Sequence, residues 1–136
     1  MEIRHGHVRQ DLPDEWWEEA GMAAFVPSRA AYRANPAPYP VERVVEIPID
    51  QVEPLERTLS HGIFNDSHLF GTARERVVSL LKGFREDSAI PPVHVVRLGS
   101  GGSYRFRLNV GAHRFYCAVA AGFTHVSAID VTDDLL

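Results

Sequence analysis

A chain of 136 residues with a hydrophobic fraction of 45% and a formal charge of -4 has the size and composition of one domain around one core. The negative balance argues against bulk electrostatic attachment to nucleic acid, and no stretch approaches the roughly 20 apolar residues that cross a bilayer. The single cysteine, Cys117, leaves no intramolecular disulfide, and no basic and then apolar N-terminal run reads as a signal peptide, so a reducing cytoplasm is the expected location.

Residues 1–42 differ from the rest and read as an N-terminal extension that packs on the core or on a partner. His5 and His7, two apart, flank a terminus expected to fray, metal binding by the pair being the rival reading. Asp11 or Asp14 is placed to cap a short helix through Trp16, Trp17 and Ala20, with Gly21 near its end. Adjacent side chains on a helix point in different directions. One tryptophan is therefore expected on the core and the other partly exposed or against a protein partner. Pro36, Pro38 and Pro40 then predict an extended strap.

Residues 43–136 read as the domain proper. The β-branched run from Val44 to Ile49 predicts a strand that ends near Pro48. The stretch from Ser60 to Gly71 carries His61, Asn65, Asp66 and His68 with few apolar anchors, and reads as a surface loop. Val77, Leu80, Leu81 and Phe84 share one face of a helix whose cap is Thr72, with Glu75 three residues on. Pro91 and Pro92 end that segment. Val93 to Leu98 and Tyr104 to Leu108, joined by a glycine-rich turn, predict a hairpin with Arg105 and Arg107 on one face. Ala112 to Ala121 reads as a second helix closed by Gly122, and Val126 to Val131 as a last strand. This order predicts a small α/β domain of the α+β kind, a mixed sheet flanked by helices.

A strand that runs into Gly111 and straight on into a helix leaves the first amides of that helix unpaired, and such amides favour anions. Gly111 permits close approach, His113 can donate a hydrogen bond or shuttle a proton, and Arg114 can grip two phosphate oxygens. The set Gly111-Ala112-His113-Arg114 suits a phosphate. By residue type alone, an ordinary helix start is the rival reading.

Pro91-Pro92-Val93-His94-Val95, a glycine turn, Tyr104-Arg105-Phe106, then Gly111-Ala112-His113-Arg114 and a helix with Ala118 and Gly122 resemble the ParB/sulfiredoxin superfamily. The likeness covers about residues 43 to 131, and Ile47-Pro48-Ile49-Asp50 resembles the family's opening strand. The resemblance implies a turn that cradles nucleotide phosphates, and puts Glu53 or Glu56 near where the free serine kinase branch has a catalytic carboxylate. Ala112 stands where sulfiredoxins have their nucleophilic cysteine, and Cys117 lies further along the helix, so sulfinic acid reduction is not expected. Val110 precedes Gly111 where many relatives have a small residue, and is expected to narrow the approach. Too few residues follow Val131 for the DNA-reading and dimerisation domains of chromosome-partition proteins, so a full partition role is not expected.

The resemblance therefore implies a nucleotide-binding enzyme that transfers or hydrolyses a phosphoryl group of ATP or CTP with magnesium. In it the amides of Gly111, Ala112 and His113 hold phosphate oxygens, Arg114 offsets transition-state charge, His113 orients or donates, and Glu53 or Glu56 is the base. Two other classes stay open: a non-catalytic module that regulates a protein partner through Trp16 and Trp17, and a DNA nuclease, which the net charge disfavours. His61, Asp66 and His68 are types that ligate divalent ions, but loop spacing fixes no geometry and they read as solvated residues. Cys117 reads as a small core residue. Alternation leaves Arg105 and Arg107 either extending a basic surface toward a ligand or keeping one sheet face wet.

Overall fold

In the computed structural model, which describes residues 1–55 and 62–135, the chain opens with a hairpin. Strand β1 (Glu2–His5) pairs antiparallel with β2 (Val8–Asp11) through a turn at Gly6, whose φ of 58° glycine accepts without strain. The terminus does not fray. Ile3 and His5 are buried, His5 Nε2–H donates to the Val52 carbonyl at 2.6 Å, and its ring meets Phe115 and Tyr116 edge-on. His7, by contrast, is exposed.

Helix α1 (Asp14–Glu19) follows where the sequence predicts it, with Asp14 and Glu15 in the first turn, where the helix dipole favours acids. Pro13 holds the cap position, so neither Asp11 nor Asp14 serves as the side-chain cap. Trp16 and Trp17 are both half-buried and both pack on the core. The proline run bends instead of running extended: Ala37–Pro38 is a cis peptide, and the Tyr39 N–H returns to the Pro36 carbonyl. Ile3, Leu12, Ala20, Met22 and Tyr32, all from residues 1–42, belong to the same core as the rest of the chain.

The main sheet combines β3 (Val44–Pro48), β4 (Val93–Arg97), β5 (Phe106–Val110) and β6 (His125–Asp130) in the order β3-β6-β4-β5. β3 runs antiparallel to β6, β4 parallel to β6 and β5 antiparallel to β4, which makes the sheet mixed and the fold α+β. The predicted hairpin is β4–β5. Its second strand starts at Phe106, later than the alternation predicts, because the Arg105 N–H leaves the ladder for the Gln51 carbonyl.

Helix α2 (Ala73–Arg85) starts at the predicted cap: Thr72 Oγ1 accepts from the Glu75 N–H at 3.1 Å. Its inward face carries Val77, Leu81 and Phe84. Helix α3 (Ala112–Ala121) is closed by Gly122 at φ 91° and leads into β6. α2 packs against α3 on one side and α1 on the other, where Arg74 pairs with Glu19. No helix among the described residues is long and apolar enough to cross a membrane.

Candidate anion site

Gly111 joins β5 to α3, and the junction favours glycine on two counts. Its φ is 105°, and a Cβ there would lie 3.0 Å from Cγ1 of the fully buried Val93. Val110 before it is ordinary strand backbone, 45% exposed at the sheet edge. It forms part of a rim and does not plug the turn. The Phe115 N–H is the first to return to the helix, bonding the Gly111 carbonyl, and the amides of Ala112 and Arg114 have no acceptor among the described residues.

A cleft of about 520 Å³ separates this turn from α2 and the loop before it. Two guanidiniums reach it, Arg114 from α3 and Arg76 from α2, and the loop contributes Asn65 and Phe70. Neither arginine lies within ion-pair distance of a carboxylate among the described residues. Arg114 Nη1 donates to the Pro92 carbonyl at 2.7 Å. Arg76 Nη1 donates to the Asn65 carbonyl at 3.2 Å and to Asn65 Oδ1 at 3.3 Å.

The potential here is positive. Burial lowers the Arg114 pKa from its ordinary value, and the Arg76 charge pushes the same way. On the neighbouring strand, burial first and the charges of Arg114 and Arg43 second hold His94 below the usual imidazole pKa. An arginine so perturbed stays protonated at neutral pH, so the cleft keeps two cations.

The remaining predicted residues are dispersed. His113 lines the cleft but is buried, and its Nε2 accepts from the Asn65 N–H at 3.3 Å, an arrangement that needs the neutral ring. Glu53 does not line the cleft, and Arg107 Nη2 donates to its Oε2 at 3.4 Å. Glu56 and His61 lie outside the described residues. Asp66 Oδ1 accepts the Ala73 N–H at 2.7 Å, at the start of α2, and His68 is exposed. Arg105, just before β5, stands 5.8 Å from the Phe106 ring centre, and Arg107, on β5, pairs with Glu53, so both arginines make local contacts.

Among the described residues no three of His, Cys, Asp and Glu converge on one point, and no carboxylate lines the cleft. The residues present suit the oxygens of a phosphate, and no carboxylate among the described residues is placed there to ligate a magnesium ion. Cys117 is fully buried and burial pushes its thiol pKa up, the setting of an unreactive core cysteine.

Arg76, Phe70 and Ile63 are cleft residues that sequence reading does not place at the turn. Each belongs to a segment with no local pattern linking it to Gly111; the packing of α2 against α3 and the contacts of the 63–71 loop with His113 bring them there. No family model, curated protein or solved structure matches this chain.

Proposed function

We propose that the protein binds a nucleoside triphosphate, ATP or CTP, with its phosphates against the Gly111 to Arg114 turn. One observation carries this reading: Arg76 and Arg114, both without a carboxylate partner among the described residues, meet at the N-terminus of α3 in one cleft. Two guanidiniums so placed repel each other, and an oxyanion between them relieves the repulsion while accepting hydrogen bonds from the helix amides. The cleft also falls in the range of small-molecule sites, roughly 300–1,000 Å³. The resemblance of residues 43–131 to the ParB/sulfiredoxin superfamily supports the same ligand.

Phosphoryl transfer or hydrolysis is the activity that the resemblance adds. In that scheme Arg114 balances charge on the transferred group and Glu56 is the base, Glu53 being engaged by Arg107. The engagement of Glu53 also favours a second reading, a nucleotide-responsive module that regulates a partner without chemistry. A single buried thiol needs no oxidising compartment, which supports a cytoplasmic location.

Calorimetry with ATP, ADP and CTP in magnesium tests the reading. A triphosphate should bind, and Arg76→Ala and Arg114→Ala should each weaken it by about tenfold or more, the value of a charge-assisted hydrogen bond. No binding to the wild type, or unchanged binding in both variants, overturns it. Phosphate release by the wild type that Arg114→Ala abolishes separates the enzyme from the module.

A further inference from the structure

The loop before α2 turns two large apolar side chains outward: Leu69 is 85% exposed and Phe70 70% exposed. Looseness is not the reason. Ser67 and Gly71 exchange backbone hydrogen bonds at 2.8 and 3.1 Å, and Ser67 Oγ accepts the amides of Leu69 and Phe70, each at 3.2 Å. Asp66, through the Ala73 amide, ties the same turn to α2. A well-bonded turn that holds two adjacent large apolar side chains in water presents a small apolar patch open to a ligand.

The surroundings of the ring say what covers it. The Arg76 guanidinium stands 5.7 Å from the Phe70 ring centre, and both residues line the cleft that Arg114 shares. An exposed ring on the wall of a cationic, ligand-sized cleft matches an anion joined to a flat and weakly polar ring system.

We propose that Phe70 stacks on the ring of the ligand whose phosphates occupy the Gly111 to Arg114 turn, a nucleobase under the reading above, on which this proposal rests. Arg76 then serves both halves of the ligand, holding a phosphate oxygen while its cation–π contact steadies Phe70. Every base offers a π face, so stacking distinguishes a nucleotide from bare polyphosphate more sharply than it distinguishes ATP from CTP.

Titration of the full chain with ATP, CTP and inorganic tripolyphosphate, each with magnesium, tests this in the wild type, Phe70→Ala and Phe70→Trp. The wild type should bind a nucleotide roughly tenfold more tightly than tripolyphosphate, the usual worth of one base–aromatic stack. Phe70→Ala should bring the nucleotide down to the tripolyphosphate affinity and leave tripolyphosphate unchanged. Phe70→Trp should retain nucleotide binding, and neither variant should shift the melting temperature, because the side chain is exposed. Equal nucleotide affinity in the wild type and Phe70→Ala overturns the stacking role, while persistent tripolyphosphate binding leaves the phosphate reading intact. Absence of all binding overturns both. A concentration-dependent dimer that Phe70→Ala dissolves would also overturn the proposal, giving the ring a second copy as its cover.

Discussion

Gly111 meets two demands at once, a positive φ and a close approach to Val93. Gly111→Ala should cost about 1–3 kcal/mol, the usual price of holding a non-glycine residue in that region. Since Val93 is fully buried, the clash cannot be relieved into solvent. A melting temperature lower by roughly 3–15 °C, with weaker phosphate binding, is the expected outcome. An unchanged melting curve would show that the junction relaxes. This glycine was readable in the sequence because a strand, a glycine and a helix follow one another there. Arg76 was not, since its neighbours Val77 and Leu80 define a helix face and say nothing of what lies across it. Glu53 is a different case: its place in the sequence suggests a carboxylate near the turn, while in the structure it pairs with Arg107.

Strands β1 and β2 tie the N-terminus to the core through one titrating group. Burial lowers the pKa of His5, and its Nε2–H is donated to Val52; Asp50 opposes the shift and His7 adds to it. A group whose folded-state pKa lies below its unfolded value of about 6.5 prefers the neutral form in the fold. Its contribution is complete above that pH and is lost as the pH falls toward the folded pKa. His94 is shifted in the same direction. Urea midpoints measured between pH 5 and 8 should therefore fall at the acid end, and His5→Gln should flatten that fall whatever it does to the midpoint at pH 8. A slope identical to the wild type would assign the acid loss elsewhere. Helix α2 was legible because Thr72, Glu75 and the spacing of Val77, Leu81 and Phe84 agree. The hairpin was not: its four-residue strands are rich in charge, and the contacts that fix it, with Val52, Phe115 and Tyr116, are distant in sequence.

The first 42 residues share one core with the sheet and the two longer helices. Ile3, Leu12, Met22 and Tyr32 are each at most 4% exposed, and full burial of one such side chain contributes about 1.5–3 kcal/mol. Together they rival the whole stability of a typical domain, about 5–15 kcal/mol. A fragment of residues 43–136 should therefore lack a cooperative unfolding transition and the near-ultraviolet dichroism of packed aromatics. A sharp transition in that fragment would make the N-terminal segment a true appendage. The α+β class followed from the alternation of strands and helices. The order β3-β6-β4-β5 did not, because the parallel pairing of β4 with β6 joins strands separated by β5 and α3.

The two prolines ahead of β4 have their carbonyls held from different parts of the chain. The Tyr32 hydroxyl donates to Pro91 at 3.1 Å, and Arg114 donates to Pro92 at 2.7 Å. Proline offers no N–H, so these carbonyls are the main-chain handles of that bend. A ligand that drew Arg114 toward its own oxygens would loosen one handle and leave the other held by Tyr32, a residue of the N-terminal segment.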